Sequence, residues 1–112
     1  MEARLKTGIW VKALIRRCDL AAIGVAVTAR GDGDAGTVLL KLSPRDGGCT
    51  VLAQTRRLDG VLGWMRATGP EPVEESEADA YIARQRSRDP DLWVVEIETV
   101  ALDTVLDDPI FA

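Results

Sequence analysis

Apolar and polar positions alternate with period two in two runs on either side of a glycine-rich segment. Val25, Val27 and Ala29 fall on one face of the first run, and Val38, Leu40 and Leu42 on one face of the second, because successive strand side chains point to opposite sides. With Gly31-Asp32-Gly33-Asp34-Ala35-Gly36 between them, the stretch from Gly24 to Leu42 predicts a β-hairpin whose apolar side the rest of the chain packs against.

The period changes upstream. At 100° per residue Val11, Leu14, Ile15, Cys18 and Ala22 gather in one sector while Lys12, Arg16 and Asp19 lie away from it, so an amphipathic helix is predicted from about Gly8 to Ala22, N-capped by Thr7 and ended by Gly24. Trp10 falls at the edge of that stripe, a rim position sealing helix against sheet, or a contact surface if exposed. Arg16 and Arg17 stand near the helix C-terminus, where they complement the macrodipole or bind an anion.

Downstream, Ser43 to Gly48 is a turn, Cys49 to Thr55 a third strand, Arg56 to Gly60 a turn and Val61 to Thr68 a fourth strand, with Leu62, Trp64 and Arg66 on one face. Four strands in succession predict a meander. Gly69-Pro70-Glu71-Pro72 breaks it, and Glu74 to Arg88 is a second helix, acidic first and basic last, with a thin stripe of Ala78, Tyr81, Ile82 and Gln85. After Asp89-Pro90 a fifth strand, Leu92 to Glu98, points Trp93, Val95 and Ile97 one way and Val94, Glu96 and Glu98 the other. The fold class expected is therefore α+β, two helices on a largely antiparallel five-stranded sheet in the order α-β-β-β-β-α-β, with strand five open to parallel pairing. Residues 1–98 form one domain in this reading, and 99–112 a C-terminal tail that docks on its own sheet or offers a motif to a partner.

Composition narrows the chemistry. The 112 residues include no histidine and two cysteines, Cys18 and Cys49, without CxxC spacing. The usual general base and the histidine-activated nucleophiles are thus missing, and the cysteines read as small buried hydrophobes. No apolar run approaches a membrane span, and the mixed charges of Met1 to Lys6 are unlike a secretory signal, so the cytoplasm is the default compartment. Charge is uneven: residues 1–66 hold eleven Lys/Arg against six Asp/Glu, and residues 67–112 three against twelve, giving +5 and −9 in a total of −4. The overall negative sign disfavours nucleic acid as a partner, while the asymmetry suits docking with a protein or a second copy.

Two glycine-motif readings fail on their context. Gly31 to Gly36 matches GxGxxG after a strand, but a phosphate cradle needs a helix next, where a β-branched strand follows, and Asp32 and Asp34 would repel phosphate. An EF-hand would need further ligands downstream. Glu96 and Glu98, alternate residues of one strand, are the best candidates for a metal-binding carboxylate pair, and equally a solvated strand face.

Trp10-Val11-Lys12-Ala13 with Arg16-Arg17, the turn from Arg30-Gly31-Asp32 to Gly36, Trp64, and Arg84-Gln85-Arg86 leading to Asp89-Pro90-Asp91-Leu92-Trp93 and Glu96 together resemble a domain-of-unknown-function family of small alphaproteobacterial proteins. The resemblance covers about residues 4–98 and leaves the tail outside. It implies a shared source and fold, without an activity. The function expected is a non-enzymatic cytoplasmic protein-interaction module without a cofactor, forming a homodimer, with Trp10, Arg16, Arg17, Asp32, Asp34, Trp64, Arg84 and Trp93 as interaction candidates. The alternative is a metal-dependent nuclease with a restriction-endonuclease-like core, in which Asp32, Asp34, Glu96 and Glu98 collect around magnesium. An acid-x-lysine strand motif is missing there, since Leu39 precedes Lys41.

Overall fold

The computed structural model describes residues 5–103 and 105–111; residues 1–4, 104 and 112, which the domain and tail expectations include, lie outside them. Two helices, α1 (Thr7–Leu20) and α2 (Glu75–Arg88), accompany six strands: β1 (Val25–Ala29), β2 (Val38–Leu42), β3 (Thr50–Arg56), β4 (Leu62–Arg66), β5 (Trp93–Ile97) and β6 (Ile110–Phe111). The α+β class holds, but the sheet has six strands and is mixed, in the order β1-β5-β2-β3-β4-β6. β5 runs parallel to β2, and β6 parallel to β4.

The hairpin expected from Gly24 to Leu42 does not form. β1 and β2 run in opposite directions, as a hairpin requires, but β5 lies between them, antiparallel to β1 and parallel to β2. Only β2-β3-β4 make a meander. The physical reason lies in the β5 pattern: Trp93, Val95 and Ile97 are buried on one side and Val94 on the other, so this strand needs cover on both faces and a neighbour at each edge, which a central position supplies. The Ala29 expectation also changes. A bulge after Val27 brings Ala29 opposite Val94, off the face that Val25 and Val27 share with Ile97 and Val95.

Two cores separate the faces. On one, Val11, Leu14 and Cys18 of α1 pack against Val38, Leu40, Leu42, Leu52, Trp64, Val95 and Ile97, joined by Leu102 and Val105 from the tail. On the other, α2 covers Leu39, Val51 and Leu92 with a single buried side chain, Ala78, and the half-buried Tyr81 and Ile82. All five residues of β2 are consequently buried.

Helix ends depart from the simple signals. Lys6 is the N-cap of α1 and Thr7 the first helical residue, its hydroxyl donating to the Gly36 carbonyl at 2.6 Å instead of capping. The helix stops at Leu20, before Gly24, because Ala22 takes the left-handed conformation (φ 58°) while Ile23 N–H bonds back to the Cys18 carbonyl at 2.8 Å, a helix stop that glycine more often makes. In α2 the acids Glu75 and Glu77 occupy the first turn and Arg86 and Arg88 the last, as the macrodipole favours.

Candidate functional site

The glycine-rich loop fastens onto the first turn of α1. Gly8 N–H donates to the Gly33 carbonyl at 2.8 Å and Thr7 N–H to that of Asp34 at 3.4 Å, so the amides a phosphate would use are occupied by backbone. The Asp32 carboxylate accepts from the Asp34 and Ala35 amides at 3.2 and 2.8 Å, the Asx geometry expected of aspartate in a turn. On its other side the loop meets β5: Asp32 N–H donates to the Asp91 carbonyl at 2.9 Å, and Trp93 Nε1 donates to the Asp32 carbonyl at 2.7 Å. Arg30 lies 5.5 Å from the Trp93 ring centre.

Between this loop, α1 and the ends of β3 and β4 runs a groove of about 730 Å³, lined among others by Trp10, Asp34, Gly36, Arg56, Leu62 and Trp64. Trp10 is half-buried, its ring 5.8 Å from that of Trp64 at a tilt of 38°. Trp64 itself is 1% exposed, and among the described residues its Nε1 has no hydrogen-bond partner. Leu5 and Ile9, beside the groove in sequence, are more than half exposed, and Lys6 pairs with Asp34 at 3.7 Å. Trp10, Trp64 and Asp34 thus converge, with Asp32 and Trp93 one hydrogen bond behind them.

The other candidates lie elsewhere. Arg17 reaches Asp107 at 3.0 Å and the Val105 carbonyl at 3.4 Å, fastening the tail to α1, while Arg16 is exposed. Arg84 is exposed on α2; its neighbour Arg86 does the binding instead, donating to the backbone carbonyls of Leu92, Pro90 and Arg30.

A second cleft, about 860 Å³, lies where the parallel strands β2 and β5 end, lined by Glu74, Glu75, Glu96, Glu98, Arg45 and Cys49 among others. Glu98 pairs with Arg45 at 2.9 Å, the arginine largely in water and the glutamate about half so, a contact of small energetic weight. Glu96 stands in register with Lys41 of β2. Lys41 is 5% exposed and places its ammonium 2.8 Å from both Glu75 and Asp79. Burial alone would lower its pKa, but the hydrogen bonds to Asp79 and Glu75 and the charge of Glu96 outweigh it and hold the group well above the ordinary lysine range. Lys41 is a fixed cation among carboxylates.

The magnesium constellation does not assemble. Asp32 sits against Asp91 and Trp93 at the start of β5, and Glu98 lies just past its end, a run of roughly 15–20 Å at ~3.3 Å per residue. Among the described residues no group of three His, Cys, Asp or Glu is placed to hold a metal ion, and no helix of the described chain is long and apolar enough to cross a membrane.

Lys41 and Arg86 were missed as key residues by pattern alone. One signal existed: a lysine inside an otherwise apolar strand, with carboxylates spaced i and i+4 at positions 75 and 79 of a helix.

Comparison with known proteins extends the motif resemblance. The model of a family described as "Protein of unknown function (DUF1491)" matches residues 5–107, continuing past Glu98, where the resemblance in sequence motifs stopped. The crystal structure of a DUF1491 family protein from Caulobacter crescentus CB15 is 38% identical at a TM-score of 0.84, with 96% of this chain and 100% of that one covered. The NMR structure of a DUF1491 family protein from the same organism gives 38% identity, a TM-score of 0.83 and coverage of 99% and 100%. The solution structure of protein Atu0922 from A. tumefaciens is 31% identical at a TM-score of 0.79, with 98% of each chain covered. No curated protein matches the chain. With a family match over nearly its whole length and solved relatives of the same fold from alphaproteobacteria, this chain belongs to the DUF1491 family.

Proposed function

We propose that this DUF1491 protein is a non-enzymatic, cytoplasmic protein-interaction module that takes a peptide segment of its partner in the groove beside Trp10, and that it works as a homodimer. The observation that carries the docking reading is convergence. Side chains from α1, the glycine-rich loop, β3 and β4 line one groove of about 730 Å³ with a half-buried tryptophan in its wall, and such a ring supplies large contact area at little conformational cost. The chemistry that fits is an apolar anchor residue against Trp10 and Leu62, flanked by polar residues that meet Arg56 on one side and Asp34 on the other.

Selection of a random twelve-residue peptide library on the immobilised protein tests this reading. Enriched peptides should share an aliphatic or aromatic anchor and should lose binding about tenfold or more on Trp10→Ala, the scale of one interface anchor, while Arg16→Ala leaves binding unchanged. Absence of enrichment, or peptides indifferent to Trp10→Ala, overturns it.

A further inference from the structure

Among the described residues the sheet ends in one very short edge strand and one longer one. β6 pairs with β4 and makes an edge only two residues long on that side, whereas among the described residues the five-residue β1 has β5 on one flank and no strand on the other. Its sequence, Val-Ala-Val-Thr-Ala, contains no charge and no proline, and Ala26, Val27 and Thr28 are exposed. Edge strands are ordinarily blunted by such charges or prolines, or by bulges, and here the bulge comes only after Val27.

The direction of the free backbone groups follows from the ladder. Glu98 N–H donates to the Gly24 carbonyl at 2.9 Å, so Gly24 and Ala26 turn their polar groups toward β5 and the intervening Val25 and Val27 turn theirs outward. We infer that β1 is the homodimer interface, pairing antiparallel with β1 of a second copy about a twofold axis between the two Ala26 residues and joining the two sheets into one. In that register Val25 of each copy faces Val27 of the other as a hydrogen-bonded pair, giving four bonds, all before the bulge. Ala26 meets its own copy at the closest approach of an antiparallel ladder, about 4.5 Å between Cα atoms, where a small side chain is needed. A twofold axis makes the contact self-complementary.

Charge does not oppose this contact. Glu96 lies opposite Ala26 on β5, so the two Glu96 residues stand three strand spacings apart, roughly 14 Å, beyond the Debye length of about 8 Å at physiological ionic strength. The dimer should therefore be insensitive to salt, unlike one formed by the basic half of one chain meeting the acidic half of the other. A five-residue edge is smaller than the ~1,000 Å² of a stable interface, so association should depend on concentration. The inference rests on the homodimer reading and is independent of the Trp10 groove.

Sedimentation equilibrium of the full chain from about 20 to 300 µM, at low and high salt, reads the oligomeric state; a concentration-dependent, salt-insensitive dimer is expected. Val27→Pro removes an outward donor without touching the β5 ladder, and Val27→Lys places like charges across the axis while keeping every backbone donor. Both should weaken the dimer about tenfold or more, with circular dichroism confirming the fold, and the lysine variant decides if the proline variant does not fold. Ala26→Cys should form a covalent dimer in a thiol redox buffer, whereas Thr28→Cys, about 13 Å from its copy in this register, should not. A monomer throughout overturns both the homodimer and this interface. A dimer that ignores the Val27 variants, dissolves in salt, or cross-links at residue 28 and not at 26 overturns the interface alone.

Discussion

Trp93 Nε1 donates to the Asp32 carbonyl at 2.7 Å, binding the first residue of β5 to a loop 61 positions earlier. This bond and its neighbours let β5 enter between β1 and β2, and they require the loop backbone to lie against the β5 backbone. A Cβ on Gly31 would stand 2.0 Å from the Asp91 carbonyl oxygen, and one on Gly36 2.3 Å from the same atom. A Cβ on Gly33 would meet nothing within 4 Å.

Two of the three motif glycines are therefore required by close backbone approach, and the middle one is not. Gly31→Ala and Gly36→Ala should each destabilise by about 3 kcal/mol or more, the upper range of overpacking, since backbone must move. Gly33→Ala should be neutral or stabilise by about 0.4–1 kcal/mol through the unfolded chain. Chemical denaturation of the three variants checks the ranking; equal losses at all three positions would contradict it.

The Lys41 cluster gives an asymmetric expectation. Lys41 is 5% exposed, whereas the Glu75 and Asp79 side chains are 60% and 56% exposed. Lys41→Met leaves the two carboxylates free to rehydrate and should cost about 1–3 kcal/mol, the scale of hydrogen bonds to a charged group. Glu75→Gln with Asp79→Asn leaves a buried ammonium with Glu96 as the remaining carboxylate beside it and should cost about 3–5 kcal/mol. Because the folded pKa of Lys41 is raised, its stabilisation is complete below the unfolded value of about 10.4 and is lost as pH rises through the folded one. The stability difference between the parent and Lys41→Met should be flat from neutrality to about pH 10 and narrow above it. Urea denaturation across that range measures it.

The tail supplies part of the α1-side core. Leu102 and Val105 are 4% and 1% exposed there, and β6 lies so close to β4 that a Cβ on Gly63 would stand 2.5 Å from the Pro109 carbonyl oxygen. Leu102→Ala should cost about 2–5 kcal/mol. Ending the chain after Glu98 should cost more, because it also uncovers Trp64 and frees the β4 edge. Thermal unfolding of both variants tests this, and a truncated chain melting with the full one would refute it.

Local chemistry along the chain determined the elements and their faces. Periodicity marked α1, α2 and five strands and placed Trp93, Val95 and Ile97 on one side of β5, because these features depend on residues within a turn or a pleat of one another. The sixth strand was hidden, since two residues, Ile110 and Phe111, are too few to show a period. Strand order was decided only in three dimensions. The β1 and β2 patterns would suit a direct hairpin, but the doubly apolar β5 gains cover on both faces by lying between them, and the glycines at 31 and 36 admit it. Of the candidate residues, Trp10, Trp64 and Asp34 come together in the groove because α1 docks on the loop, and the acids of Asp32 and Glu98 are held apart by the length of β5. Lys41 shows the same division: its place in an apolar strand is written in sequence, and its partners come from a helix packed across the sheet.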